Sequence, residues 1–120
     1  MQTMTPTRRG QAARILQALA HPVRLGVLAE LADGERTLQE LQKALACSQS
    51  QMSQQLKILE QQGLICSRRT GTVKHCRLAN RDFLRLFTCL NHHIEQVLPR
   101  TAEAEGTPAA GTMQRRGTAR

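Results

Sequence analysis

The sequence is poor in aromatic residues and contains no long apolar run. Phe83 and Phe87 are its only Phe, Tyr or Trp residues. Single-stranded nucleic acids bind through bases stacked on aromatic side chains, so this mode of binding is disfavoured. No apolar run approaches the roughly 20 residues that cross a bilayer, and the N-terminus lacks the apolar segment of a secretory signal. These absences predict a cytoplasmic chain without a membrane partner.

Acidic residues are also scarce, with 9 Asp and Glu against 17 Lys and Arg in 120 residues, for a net charge of +8. The excess is concentrated in residues 64–85, which hold six basic residues and one acidic residue, a local net charge of +5. A basic segment of this kind favours a polyanionic partner, and nucleic acid in particular.

The chain reads as one small α-rich domain between two irregular ends. Residues 1–10 are predicted to form a flexible arm, and residues 100–120, which lack apolar periodicity, a disordered tail. Residues 11–99 form a single folded domain. Its first helix is predicted to begin near Gln11 and to stop before His21-Pro22. The second is predicted from Pro22 to Ala32, and the third begins at the capping-box pair Thr37 and Glu40.

The stretch from Ser48 to Gly63, SQSQMSQQLKILEQQG, predicts a short helix with a polar outer face. Ser48 and Gln51 have the spacing of a capping box, and Gly63 suits the left-handed residue that ends a helix. Apolar side chains recur on one helical face at Met52, Leu56 and Leu59. The opposite face carries Ser, Gln and Lys, the side chain types that bind base edges and phosphates.

Two β-prone segments follow, on either side of the turn Thr70-Gly71. They predict a β-hairpin with a basic tip. Two short helices joined by a tight turn and followed by such a hairpin are typical of a winged helix-turn-helix. The predicted fold is therefore mainly α with a small β-hairpin, five helices plus the wing. The last helix, capped by Asn80 and running to Leu98, has an apolar stripe that a homodimer would cover.

Three runs, LQALAHPVRLGVLAEL, SQSQMSQQLKILEQQGLI and RRTGTVKHCRL, occur in this order. Together they resemble the ArsR/SmtB family of bacterial winged-helix repressors. The resemblance implies a homodimer that binds palindromic, double-stranded operator DNA and leaves it when an inducer binds. Residues 11–99 would then be a winged-helix domain for DNA binding and dimerisation, with the helices around residues 11–19 and 81–98 at the dimer interface.

The resemblance also assigns a DNA-binding surface. The recognition helix would span residues 49–62 and the wing residues 68–77. Serine and glutamine would read base edges, and basic side chains would hold phosphates. The predicted DNA-binding residues are Ser48, Gln49, Ser50, Gln51, Ser53, Gln54, Lys57, Arg68, Arg69, Lys74 and His75.

Metal sites of the family are only partly matched. Where the arsenic site of the family has Cys-x-Cys at the start of the third helix, this sequence has Thr37 and Gln39, so that site is absent. A zinc-type site on the last helix is matched by Asp82 and His93, with the amide of Gln96 at a further position. Asp82 and His93 are roughly 16 Å apart along one helix, so only two subunits could bring them to one zinc or similar divalent ion. The alternative is that these side chains only form hydrogen bonds.

Three cysteines suggest a redox or thiol sensor instead. Cys66 and Cys76 are expected on opposite strands of the hairpin, at or within one register step, so a disulfide between them is conceivable. Arg68 and Arg77, if close, would favour the reactive thiolate. Cys89 lies on the last helix, where the resemblance implies one cysteine of sulfur-sensing relatives. The alternative is that Cys66 and Cys76 are small apolar residues of the wing.

These patterns predict a sequence-specific DNA-binding transcriptional regulator, a repressor that a metal ion or a thiol-reactive species releases from its operator. An enzyme is not predicted, because the sequence has no paired carboxylates, no glycine-rich phosphate loop and no histidine beside an evident nucleophile. The alternative is a winged-helix protein-interaction module without DNA binding, because a fold does not determine its function.

Overall fold

The computed structural model describes residues 4–98, and the predicted disordered tail at residues 100–120 lies outside them. Its helices are α1 (Pro6–Leu19), α2 (Pro22–Glu30), α3 (Leu38–Leu45), α4 (Gln49–Gln61) and α5 (Leu84–Val97), and its strands are β1 (Arg36–Thr37), β2 (Ile65–Thr70) and β3 (Val73–Leu78). Short 3-10 turns, Leu31–Asp33 and Arg81–Phe83, follow α2 and precede α5. Five helices with a hairpin between α4 and α5 confirm the predicted winged helix-turn-helix.

The first helix begins earlier than the sequence predicts. Thr5 caps it, because the Thr5 hydroxyl accepts a hydrogen bond from the Arg8 N–H at 3.2 Å. Pro6 occupies the first helical position, where a missing N–H costs nothing. The expected start near Gln11 is therefore wrong, and the second half of the predicted arm at residues 1–10 is helical. The first three residues of that arm lie outside the described range.

The wing is part of a three-stranded antiparallel sheet with the strand order β1-β3-β2. The sequence predicts the hairpin but not β1, because a two-residue strand is too short for a recognisable alternation. β1 pairs with β3, which places Arg36 opposite Cys76. The hairpin turn is Gly71-Thr72 rather than Thr70-Gly71, and a φ of +63° at Gly71 favours glycine there.

The described chain divides after Arg81 into two compact units. In the first unit, α2, α3, α4 and the sheet enclose an apolar core. The predicted stripe of α4 belongs to it, because Met52, Leu56 and Leu59 are fully buried. Other core side chains are Val27, Leu28, Leu31, Leu38, Leu41, Leu64, Ile65 and Leu78. Apolar burial thus holds α4 by its inner face and leaves its outer face in solvent.

The second unit contains α5. This α-helix begins at Leu84 rather than directly after Asn80, because the intervening residues form a 3-10 turn. None of the residues of α5 is buried. Its apolar side chains Leu90, Ile94 and Val97 are 41%, 42% and 59% exposed.

No single helix within residues 4–98 is long and apolar enough to cross a membrane. Only α1 and the segment Pro22–Asp33, joined by a bend of 87°, pass that test as a pair, by length and composition alone. Val27, Leu28 and Leu31 of that segment are buried in the core, which accounts for its apolar composition.

Candidate nucleic-acid interface

The turn between α3 and α4 determines where α4 begins. Ala46 ends α3 in the left-handed conformation, and the Cys47 N–H donates to the Gln42 carbonyl at 3.2 Å. Ser48 then caps α4. Its hydroxyl accepts from the Gln51 N–H at 3.1 Å, and the Gln51 side-chain oxygen accepts from the Ser48 N–H at 3.0 Å. The predicted capping box is therefore confirmed, and it satisfies N–H groups that a helix start leaves without partners.

The outer surface of α4 and its cap expose every DNA-binding side chain predicted there. These are Ser48, Gln49, Ser50, Gln51, Ser53, Gln54 and Lys57. Ser48 and Gln51 differ from the others, because the capping box already occupies their side-chain oxygens. The Gln51 amide nitrogen keeps two N–H donors. Ser53 and Gln54 form no side-chain hydrogen bond with any other residue that the structure describes.

Arg24 of α2 positions α4, a role for which the sequence contains no signal. Its Nε donates to the carbonyl of Ala18 in α1 at 2.5 Å, and its Nη1 donates to Gln55 Oε1 on α4 at 2.6 Å. The planar fork of a guanidinium suits such simultaneous bonds, so one side chain joins three helices. Arg24 and Gln55 are 31 positions apart, which is why local patterns do not reveal the contact.

One face of the hairpin is attached to the last turn of α4 through Glu60. Its Oε2 atom accepts from Lys74 Nζ at 2.8 Å and from the Ser67 hydroxyl at 2.6 Å. Burial alone would raise the pKa of Glu60, but the bonds from Lys74 and Ser67, with the charges of Lys74 and Arg69, outweigh it and lower the pKa below 4.5. Only 16% of the Lys74 side chain is exposed, so this predicted DNA contact lies in an internal ion pair.

The opposite face of the hairpin is held by Glu35, which precedes β1. Its Oε2 atom lies 2.7 Å from Arg68 Nη2 and 3.2 Å from His75 Nδ1. Arg68 also donates to the Thr70 hydroxyl at 3.0 Å. Two further predicted DNA contacts, Arg68 and His75, therefore share an acidic partner. No sequence pattern points to Glu35 or Glu60, because their contacts exist only once the sheet has formed.

Arg69 is the predicted wing contact with the greatest freedom to reach a phosphate. It lies opposite Lys74 across the strands, is exposed, and makes no hydrogen bond or ion pair within residues 4–98. Arg77, inside the predicted wing but not among the predicted contacts, is also exposed. Alternation along β3 places Arg77 on the face that carries His75, away from Arg69.

Asp82 and His93 do not form a metal site within one chain. Both side chains are exposed, Asp82 in the 3-10 turn and His93 on α5. Among residues 4–98 no group of three or more His, Cys, Asp or Glu side chains is close enough to hold a metal ion. Zinc takes four ligands in protein sites, so this pair would need donors from a second subunit.

The sheet separates the two cysteines of the wing. Cys66 lies opposite Arg77 and Cys76 lies opposite Ser67, so the two thiols are on opposite faces of the hairpin. The conceivable disulfide is therefore excluded in this register. Cys76 is fully buried, and burial raises the pKa of its thiol to about 11, the reverse of thiolate activation. Cys66 is half-buried, and Cys89 on α5 is exposed.

A family model for a helix-turn-helix domain matches residues 19–68. The chain is similar to a solution NMR structure of the homodimeric winged helix-turn-helix DNA-binding domain of Mb0332 from Mycobacterium bovis, a possible ArsR-family transcriptional regulator. The two superimpose with a TM-score of 0.67 and 32% identity, over 82% of this chain and 94% of that one. The biofilm growth-associated repressor of Agrobacterium fabrum is 37% identical over 83 residues, 69% of this chain and 71% of the relative. The chain belongs to the ArsR/SmtB family.

The relatives of this chain differ in length. The HTH-type transcriptional regulator Rv0324 of Mycobacterium tuberculosis is 34% identical over 102 residues, which cover 82% of this chain but 45% of that protein. The chain therefore spans less than half the length of this relative. Membership in the ArsR/SmtB family confirms the resemblance carried by the three sequence runs.

Proposed function

We propose that this chain is a sequence-specific transcriptional repressor that binds double-stranded operator DNA through α4 and the wing. The observation that carries the proposal is the uniformly polar outer face of α4, which is held in place by the burial of Met52, Leu56 and Leu59. An α-helix fits the major groove, where serine and glutamine side chains bond to base edges. The relatives from M. tuberculosis and A. fabrum, named as a regulator and a repressor, support the same function.

Basic side chains supply the part of the affinity that does not depend on sequence. Arg69 on the wing and Lys57 on α4 are both exposed and would contact phosphates, which position a protein without reading bases. Release of counterions from those phosphates makes the affinity fall as salt rises. We assign Lys74 a different role, because its ion pair with Glu60 supports the wing.

The proposed contact surface can be tested by measuring, with fluorescence anisotropy, how variants bind the DNA upstream of the chain's own gene. Replacing Gln54 and Arg69 together by Ala should weaken binding by about tenfold or more, because a lost base contact costs ~1–3 kcal/mol. The matched control is Gln61→Ala, which changes an exposed glutamine at the other end of α4. Unchanged binding by the double variant would refute this contact surface.

Salt dependence of the wild-type chain separates the repressor from a winged-helix protein-interaction module. A repressor binds operator DNA with an affinity that falls steeply with salt, whereas a module without DNA binding shows no such affinity. Neither role needs catalytic chemistry. We propose that the chain is not an enzyme and that it acts in the cytoplasm, where bacterial DNA is found.

We propose that the repressor acts as a homodimer. Leu16 of α1 is 54% exposed, and Leu90, Ile94 and Val97 of α5 are exposed as well. Apolar side chains exposed in series mark surfaces that a partner covers. The similar domain of Mb0332 is described as homodimeric. A twofold dimer would present one copy of α4 to each half of a palindromic operator.

We propose that a thiol-reactive or redox species releases the repressor from DNA. The exposed thiol of Cys89 supports this choice, with the half-buried Cys66 as a second candidate, whereas the buried Cys76 is protected from reagents. Zinc or a similar ion is less well supported. It would be held by Asp82 of one subunit and His93 of the other, only two strong donors for an ion that takes four ligands.

Treatment of the DNA complex with hydrogen peroxide tests the signal. Wild-type protein should dissociate, and Cys89→Ser should stay bound, because the reactive thiol is gone. Cys76→Ala is the control and should dissociate like the wild type. Zinc-induced release that is lost in both Asp82→Ala and His93→Ala would overturn the choice of a thiol over a metal ion.

A further inference from the structure

We infer that Glu35 limits the affinity of the wing for DNA, because its carboxylate holds the Arg68 guanidinium and lies against the His75 ring, two side chains that would otherwise be available to a phosphate. The inference rests on the proposed DNA-binding function. It adds an acidic residue to the surface that determines the affinity for DNA. Glu35 thus acts as an internal competitor of the DNA backbone.

The backbone places Glu35 against the wing. β1, which begins one residue after Glu35, pairs with β3 so that Thr37 lies opposite His75. His75 in turn lies opposite Arg68 on β2. Side chains directly opposite in a sheet share a face, so Arg68 and His75 are neighbours on the side that Glu35 approaches. One oxygen, Glu35 Oε2, then accepts at 2.7 Å from Arg68 and lies 3.2 Å from His75.

Because this ion pair is exposed, a DNA phosphate can displace the Glu35 carboxylate from Arg68. The Arg68 side chain is 60% exposed and that of Glu35 is 35% exposed, so a phosphate oxygen has access to the same guanidinium. Exposed ion pairs contribute little to stability, because water and salt screen them. A phosphate can therefore replace the carboxylate at small cost to the fold. While Glu35 remains, its negative charge repels the phosphate and neutralises part of the wing.

The second carboxylate of the wing has the opposite character. Glu60 and Lys74 are only 27% and 16% exposed, and Ser67 donates a further hydrogen bond to the same Glu60 oxygen. Removing the Glu60 carboxylate would leave Lys74 without its partner in a partly buried position and would loosen the wing. The two acidic residues therefore predict opposite effects on DNA binding.

The test compares Glu35→Gln, Glu60→Gln and wild type on the same operator DNA at several salt concentrations. We expect Glu35→Gln to bind severalfold more tightly, with a salt slope steeper by about one, since each additional phosphate contact adds about that much. Glu60→Gln should bind more weakly. Asp33→Asn is the matched control for charge, because it removes an exposed carboxylate two residues from Glu35 and leaves the wing unchanged.

A charge effect that is not specific to the wing would appear equally in Asp33→Asn and would overturn the inference. So would an affinity of Glu35→Gln equal to or below that of the wild type. In an Arg68→Ala background the gain from Glu35→Gln should shrink, and a full gain there would also overturn it. If the wild type shows no salt-dependent DNA binding, the proposed function itself fails; if only the gain is missing, the repressor remains and the role of Glu35 is refuted.

Discussion

Glu60 connects the last turn of α4 to both strands of the wing, through Ser67 on β2 and Lys74 on β3. Loss of its charge leaves a lysine whose side chain is only 16% exposed without a counterion. Breaking such a pair is more destabilising than breaking an exposed pair such as Arg68 and Glu35. Glu60 thus adds a charged contact between the wing and α4 to the apolar packing that already joins them.

Acid should destabilise the fold partly through Glu60. Its pKa in the folded chain is lowered below 4.5, so its contribution is complete above the unfolded-state pKa and is lost as the pH falls through the folded-state value. We expect the free energy of unfolding of Glu60→Gln to fall less steeply than that of the wild type between about pH 5 and pH 3. Urea unfolding at a series of pH values measures this, and parallel curves for the two proteins would contradict it.

Two capping boxes start the two helices of the helix-turn-helix. Thr37 and Glu40 exchange hydrogen bonds of 3.1 Å and 2.8 Å at the start of α3. Ser48 and Gln51 do the same at 3.1 Å and 3.0 Å at the start of α4. The two boxes have the same hydrogen-bond pattern, but only the second is part of the proposed DNA surface. Comparing variants of the two boxes therefore separates an effect on folding from an effect on DNA binding.

Replacing either capping hydroxyl should cost about 1 kcal/mol of the free energy of unfolding, because an N-terminal N–H loses its acceptor. Thr37→Ala and Ser48→Ala should thus be similar in urea unfolding. Only Ser48→Ala should also weaken operator binding, because a frayed first turn displaces Gln49 and Ser50. Equal losses of DNA affinity in the two variants would mean that this cap acts on binding through stability alone.

At the scale of the whole molecule, the exposed apolar side chains of α5 predict the oligomeric state. Ile94→Glu should convert the proposed dimer into a monomer, because it places a charge in an apolar interface. His92→Glu puts the same charge about 160° around the helix and should leave the dimer intact. Light scattering after gel filtration gives the mass of each variant. A wild-type mass of one chain, or a dimer that survives Ile94→Glu, would argue against the homodimer.

Local sequence patterns are sufficient for the five helices, for the hairpin and for the outer face of α4, but not for β1. A capping box joins residues three positions apart, and the stripe Met52, Leu56 and Leu59 repeats at the helical period, so both can be read within one turn or two. The wing follows from β-prone residues on either side of a glycine turn. The predicted start of α1 is too late, because Gly10 makes residues 1–10 resemble a linker. Thr5 and Pro6, which precede it, are in fact the cap and the first residue of the helix.

Only tertiary contacts decide which side chains of the wing are paired and which are free to contact DNA. Arg68 meets Glu35, 33 positions away, only because β1 pairs with β3 and brings the carboxylate to that face of the hairpin. Strand register separates Cys66 from Cys76, since a shift of one residue exchanges the faces of a strand. Composition and periodicity are properties of a single helix or strand, so they are enough to predict that the basic residues lie in the wing. Which of those residues meets a carboxylate and which reaches solvent depends on segments that become neighbours only in the folded chain.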